Sequence, residues 1–202
     1  MTVLLDYGAG NTKSVMNALD RIGAPYILSD DKEIIDHSSR LILPGVGHAA
    51  AAMDQLKSRN LIATLKNYRK PFLGICLGMQ LMFDHSEEGD TPCLGLIPGT
   101  VKKFISDTVN KVPHMGWNDF TNDKGHYIFD GTDGANDAAY FVHSYYVSLS
   151  EFTISSCNYI IPFSAAVSFE NFTGIQFHPE KSGAAGQNIL YNFTNSADNN
   201  AN

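Results

Sequence analysis

The 202-residue sequence is short of cysteine, of basic charge and of long apolar runs. Its three cysteines, Cys76, Cys93 and Cys157, are odd in number and widely spaced, which excludes a disulfide framework and fits a reducing compartment, so the cytoplasm is the expected location. Lys and Arg number 14 against 21 Asp and Glu, giving a formal net charge of −7 and a pI near 5.4. With no run of Lys or Arg, the chain has no electrostatic reason to approach phosphate backbones or an anionic membrane, and nucleic acid is excluded as the main partner. The longest mostly apolar stretch, Phe72 to Phe83, is interrupted by Gly74, Gly78 and Gln80, so no membrane span is expected. The opening MTVLLDYGAG has no basic segment and only a short apolar run, unlike a signal peptide. Metal spacings are missing too: there is no H-E-x-x-H, no paired C-x-x-C and no EF-hand loop. Tyr7-Gly8-Ala9-Gly10-Asn11 lacks the third glycine of a dinucleotide fingerprint. Neither a metal nor a nucleotide cofactor is expected.

What is present is a composition 44% hydrophobic, enough for one domain that buries about 70% of the surface its unfolded chain exposes. Short apolar runs alternate with helical patterns in the first half. Val3 to Leu5 is followed by Val15, Met16, Leu19 and Ile22 at helical spacing, then by Tyr26 to Leu28, the rhythm of a βαβ unit. Leu41 to Leu43, helical stretches from His48 to Leu56 and Leu61 to Tyr68, and the strand Phe72 to Ile75 continue it. Strands this apolar belong inside a parallel sheet. From about Val101 the pattern becomes closely spaced strands, partly antiparallel: Val101 to Ile105, His126 to Phe129, Tyr140 to Val147, Phe152 to Tyr159, Ala165 to Phe169 and Gly174 to Phe177. A last helix spans Ser182 to Phe193. No repeat or low-complexity linker divides the chain. The reading is one α/β domain over 1–194, with a central mixed, mostly parallel sheet and helices on both faces, and a frayed polar tail over 195–202.

Cys76 lies directly after an apolar strand, in Gly74-Ile75-Cys76-Leu77-Gly78, and before the helical pattern Met79, Met82, Phe83. A lone intracellular cysteine is most often a small buried hydrophobe. Here strand, sharp turn and helix form a nucleophile elbow, whose neighbours two residues away on each side must be small, and Gly74 and Gly78 stand in those two places. A thiol at a helix N-terminus also sits near the positive end of the helix dipole, which favours the thiolate. Cys93 and Cys157 have no such frame.

A thiol nucleophile needs a base, and of seven histidines only His178 has an evident orienter. In Phe177-His178-Pro179-Glu180, residues i and i+2 of an extended segment point to one side, so Glu180 can hold one ring nitrogen and leave the other for Cys76. Attack on a carbonyl creates an oxyanion that needs preorganised N–H donors. Leu77, after the nucleophile, supplies one. The loop Leu43-Pro44-Gly45-Val46-Gly47 follows a strand at the same sheet edge and can supply a second.

The order PGVG (44–47), GICLGMQ (74–80) and HPEKS (178–182) resembles class I glutamine amidotransferases over nearly the whole chain. YGAGN (7–11), PHMGWN (113–118) and YFVHSYY (140–146) are similar to the glutaminase subunits of imidazole glycerol phosphate synthases, of histidine biosynthesis. The resemblance implies a flavodoxin-like fold and hydrolysis of glutamine to glutamate and ammonia through a thioester on Cys76, with His178 as base and Glu180 as its orienter. It puts the oxyanion-hole amides at Val46 and Leu77 and substrate contacts at Gly47, Gln80, Glu88, Ser144 and Tyr145. It further implies a heterodimer with a (βα)8-barrel cyclase subunit that takes the ammonia to make imidazole glycerol phosphate and an aminoimidazole carboxamide ribotide. Asn11, Asp90, Trp117, Tyr140 and Lys181 fall on the surface implied to face that partner. One departure from the family pattern is Ala9, where relatives carry Pro. Competing readings keep the chemistry and change the acceptor (a glutaminase for pyridoxal phosphate or anthranilate synthesis), make the chain a free-standing γ-glutamyl hydrolase or cysteine peptidase, or make it an interaction subunit without chemistry.

Overall fold

Residues 1–132 and 137–196 are described by the computed structural model of the chain. The βαβ rhythm resolves into β1 (Thr2–Leu5), α1 (Thr12–Arg21), β2 (Tyr26–Ser29), α2 (Lys32–His37), β3 (Arg40–Gly45), α3 (Ala49–Ser58), α4 (Ile62–Asn67) and β4 (Phe72–Cys76). After α5 (Leu77–Gln80) come β5 (Phe83–Ser86), β6 (Thr91–Pro92), β7 (Ile97–Lys103) and β8 (His114–Asp119). The remainder is β9 (Ala138–His143), β10 (Tyr145–Val147), β11 (Thr153–Tyr159), β12 (Ile161–Phe169), β13 (Phe172–Ile175) and α6 (Gly183–Asn195).

The central sheet has the order β11-β12-β13-β4-β3-β1-β2. It is parallel from β13 to β2 and antiparallel where β12 meets its two neighbours, the mixed and mostly parallel sheet expected. Period-two alternation divides its side chains between two faces. Leu4, Ile42, Leu73 and Ile75 join α1 and α6 in one core. Val3, Leu5, Leu41, Leu43 and Phe72 join α2, α3, α4 and α5 in the other. Two smaller sheets, β10-β7-β5-β6 and the ribbon β8-β9, complete the β-rich second half. No helix among the described residues is long and apolar enough to cross a membrane.

Five local expectations are corrected. The helix after Cys76 is a single turn, because Phe83, read as its last apolar position, begins β5 and is buried there; the dipole behind the thiol is therefore that of four residues. His126 to Phe129 is a 3-10 turn over Tyr127–Phe129. Asn122 Oδ1 accepts the His126 N–H and His126 Nδ1 accepts that of Ile128, so local caps override the strand propensity of the side chains. The run from Tyr140 to Val147 is broken at Ser144, where the chain leaves the partner of β8 and becomes the partner of β7. The strand at Val101 starts earlier and ends at Lys103, leaving Ile105 exposed. The last helix runs two residues past Phe193, because Arg40 donates to the Phe193 and Ser196 carbonyls at its C-terminus. Asn195 and Ser196 thus belong to the helix end, and the rest of the expected tail, 197–202, lies outside the described residues.

Candidate active site

The C-terminal ends of β3 and β4 and the junction of β9 with β10 converge on a cleft of about 280 Å³. Val46, Gly47, Cys76, Leu77, Gln80, Glu88, Ser144, Tyr145 and His178 line it, and so do Pro113, Val142 and His143. All of the residues expected to act on or bind a substrate therefore share one space, Glu180 excepted, which stands behind His178.

Cys76 occupies a turn with φ 54° and ψ −111°, a left-handed backbone conformation rare for a residue with a Cβ. The flanking glycines are there for contact. A Cβ on Gly74 would lie 2.7 Å from the Gly78 carbonyl oxygen, and one on Gly78 would overlap the Leu43 carbonyl oxygen of β3. Gly45 pairs with Cys76 across the sheet and leaves no room for a Cβ against Leu77 and Gly78. Gly45 and Gly78 thus clamp the elbow on β3, and Gly74 lets the turn close on itself.

His178 Nδ1 lies 2.8 Å from Glu180 Oε1, and both side chains are buried. The pairing is as expected, but its geometry is not that of an extended strand. Pro179 starts a 3-10 turn over Pro179–Lys181, and the carboxylate folds back onto the ring across it. Nε2 of His178 is buried with no hydrogen-bond partner among the described residues. Cys76 Sγ has weak polar contacts at 3.9 Å with the Val142 carbonyl and with Gln176 Nε2. Burial, the largest single influence on His178, disfavours its imidazolium, but Cys76 and Glu180 together outweigh it and raise the pKa to about 10. The backbone of His178 is held as well. Its N–H donates to the Tyr140 carbonyl, and its own carbonyl accepts from Ser182 Oγ, which in turn accepts the Tyr140 N–H. Arg21 of α1 donates to the Glu180 carbonyl.

The loop after β3 is anchored from below by Tyr7, whose buried hydroxyl donates to the Pro44 carbonyl at 2.9 Å. Val46 is exposed and Gly47 has φ 97°. Leu77 opens α5, so its N–H belongs to those a helix leaves without an internal partner. Gln80 Nε2 donates to the Tyr145 carbonyl and to Gln176 Oε1, both at 3.0 Å. Glu88 Oε2 accepts the Ala49 N–H at the start of α3.

Of the residues expected to face a partner, Trp117, Tyr140 and Lys181 are brought together. The Trp117 and Tyr140 rings meet edge to face at 6.1 Å, and Lys181 Nζ sits 5.6 Å from the Tyr140 ring centre. No hydrogen bond, ion pair or ring contact among the described residues joins Asn11 or Asp90 to that group. Asn11 caps α1 through Ser14, and Asp90 pairs with His85. Sequence reasoning missed Tyr7, Pro113, Val142, His143, Gln176 and Arg21. Tyr7, Pro113, Val142 and His143 lie inside the quoted motifs, whereas Gln176 and Arg21 carried no signal.

A strained cysteine on a strand-to-helix turn, a buried His–Glu pair and a glycine loop at the same sheet edge thus meet at one cleft. Residues 3–197 match the family glutamine amidotransferase class-I, and the chain belongs to it. Two solved structures share the fold. PurLQS from Thermotoga maritima has a TM-score of 0.69 at 21% identity, covering 96% of this chain and 97% of that one. A glutamine amidotransferase crystal structure has a TM-score of 0.70 at 16% identity, covering 95% and 96%. Within the family the chain is similar to the imidazole glycerol phosphate synthase subunit HisH. It is 47% identical to that of Bacteroides thetaiotaomicron over 94% of this chain and 96% of the relative. It is 49% identical to that of Pectobacterium atrosepticum over 95% and 97%.

Proposed function

We propose that the chain is the glutaminase subunit of an imidazole glycerol phosphate synthase, hydrolysing L-glutamine to glutamate and ammonia. The observation that carries this reading is Cys76 in its strained turn sharing a cleft with His178, whose far nitrogen is held by Glu180. His178 Nε2 takes the thiol proton, and the thiolate attacks the substrate's side-chain amide carbon. The carbonyl oxygen becomes an oxyanion facing the N–H groups of Val46 and Leu77. Collapse breaks the C–N bond, and the imidazolium gives its proton to the leaving nitrogen, which departs as ammonia. A water then surrenders a proton to His178 and attacks the thioester, releasing glutamate and restoring the thiol. Glu180 fixes the tautomer and steadies the imidazolium. Gln80 Oε1, Gly47, Glu88 and the Ser144-Tyr145 segment hold the amino-acid end of the substrate.

The ammonia passes to a cyclase subunit, a (βα)8 barrel, which incorporates it in making imidazole glycerol phosphate and an aminoimidazole carboxamide ribotide. Trp117, Tyr140 and Lys181 form the centre of the surface that receives this partner, with Asn11 and Asp90 at its margins. The free thiols of Cys76, Cys93 and Cys157 fit a reducing compartment, the cytoplasm. Residues 1–194 form the catalytic domain.

The test is ammonia release from glutamine by the purified chain, alone and with the cyclase subunit loaded with its nucleotide substrate. Strong stimulation in the complex, abolished by Cys76→Ala, is expected. Full activity alone, indifferent to the cyclase, would favour a free-standing γ-glutamyl hydrolase instead.

A further inference from the structure

In the cleft wall and behind it, two buried histidines, His143 and His114, form a line of hydrogen bonds that the chemistry above does not use. The Tyr145 carbonyl oxygen accepts from His143 Nδ1 at 2.7 Å as well as from Gln80 Nε2 at 3.0 Å. A carbonyl only accepts, so His143 carries its proton on Nδ1 and leaves Nε2 as an acceptor. That Nε2 lies 3.0 Å from His114 Nδ1, which must then be the donor. His114 Nε2, an acceptor in turn, faces the Asn118 amide at 3.3 Å, and the same Asn118 Nδ2 also donates to the Asn158 carbonyl at 3.0 Å. One arrangement of protons satisfies every atom in the line: both rings neutral and both protonated on Nδ1. Protonating His143 would turn its Nε2–H onto the His114 Nδ1–H at 3.0 Å, and protonating His114 would turn its Nε2–H onto the Asn118 amide N–H at 3.3 Å. Both rings pack on aromatic side chains, His114 stacked on Phe141 and Tyr159 and His143 against Phe104 and Phe163.

We propose that His143, its tautomer held between the Tyr145 carbonyl and His114, is a positioning residue for substrate binding: it holds the Tyr145 carbonyl and so fixes the Ser144-Tyr145 segment on which the amino-acid end of glutamine docks. This rests on the glutaminase reading. Ser144 is where the chain passes from the β8-β9 ribbon to the β10-β7 sheet; its own carbonyl accepts the Phe104 N–H, while the carbonyl of Tyr145 is tied by side chains. His143 N–H and Gln80 N–H are two such ties on one oxygen. The proton transfers belong to His178, so releasing the segment weakens substrate binding and leaves the bond-breaking step in place.

Two measurements test this. The first is nitrogen-15 spectroscopy of the histidine side chains in the full chain. Nδ1-protonated neutral tautomers for both residues, with a scalar coupling between His143 Nε2 and His114 Nδ1 across their hydrogen bond, are expected. An Nε2-protonated His143 overturns the proposal. The second is steady-state glutaminase kinetics of the complex with the cyclase subunit. His143→Gln, whose amide cannot stand in for Nδ1, is expected to raise KM for glutamine about tenfold with kcat within about threefold, the scale of one lost buried hydrogen bond. His143→Asn, whose amide nitrogen can occupy the Nδ1 position, restores most of that loss. A His143→Gln variant with unchanged KM, or equal KM values for the Asn and Gln variants, overturns the proposal. A wild-type complex that releases no ammonia overturns the glutaminase reading itself, a result distinct from either.

Discussion

The most informative residue is Cys76, because its backbone and its side chain pull in different directions. Holding a residue with a Cβ at φ 54° and ψ −111° costs roughly 1–3 kcal/mol. Strain of this kind persists where the surroundings over-determine it, and here Gly45, Gly74 and Gly78 close the turn on all sides. Two variants that both lack the thiol separate the backbone from the chemistry. Cys76→Ala keeps the Cβ and the strain, whereas Cys76→Gly relieves it and gives back roughly 0.5–1 kcal/mol through greater freedom of the unfolded chain. Cys76→Gly is therefore expected to be the more stable of the two by about 1 kcal/mol in urea unfolding, with both inactive. A midpoint for Cys76→Gly below that of Cys76→Ala would mean that the turn is relaxed, and that the elbow aims the thiol without storing energy.

At the scale of elements, the join of β4 to α5 is pressed against β3, and the contact is backbone on backbone. A methyl group at Gly78 would enter the Leu43 carbonyl, which sits inside the central sheet and cannot retreat without breaking ladder bonds. Gly78→Ala is expected to destabilise the fold by about 3 kcal/mol or more, above the usual 1–3 kcal/mol of overpacking at side chains that can give way. The check is the urea midpoint, and a loss below about 0.5 kcal/mol would show that β3 and α5 separate easily. This elbow was legible in the sequence because close approach leaves a compositional mark, glycine at fixed offsets. His178 and Glu180 were legible because an imidazole and a carboxylate two residues apart around a proline have few other uses, even though their backbone turned out to be a 3-10 turn. The break at Ser144 and the strand at Phe83 were not. Each is decided by which distant strand offers a partner, and the local pattern of apolar residues is the same either way. Helix α6 shows a further limit: its N-cap serine makes no capping bond, because Ser182 Oγ is spent on His178 and Tyr140. A cap is worth only about 1 kcal/mol, whereas burying Ile189, Leu190 and Phe193 contributes roughly 1.5–3 kcal/mol each, so the helix forms regardless.

For the whole molecule, the buried histidines set how stability depends on pH. An unfolded chain takes up a proton on each histidine near pH 6.5. In the folded protein burial lowers His114 to about 4 and His143 to about 3, the latter also facing His114 and His178, while the Tyr145 carbonyl pulls the other way. His126 is lowered too, chiefly by burial and in part against Asp130. Between about pH 4 and 6.5 the unfolded state therefore binds more protons than the folded one, so stability is fully present above pH 6.5 and falls as the pH drops through that window. His178 has the opposite sign. Raised to about 10, its contribution is complete below pH 6.5 and is lost as the pH climbs through 10. The molecule should be most stable near neutrality, with an acid limb belonging to His114, His143 and His126 and an alkaline limb belonging to His178. The acid limb is read cleanly between pH 5 and 6.5, where ordinary carboxylates are still ionised. A urea midpoint that declines steadily over that range is expected, with a shallower decline once His114 and His143 are both replaced by Leu. A flat midpoint in the native chain would mean that the pair accepts protons as freely as exposed histidine, and the line of hydrogen bonds from Asn118 to Tyr145 would then have no fixed polarity.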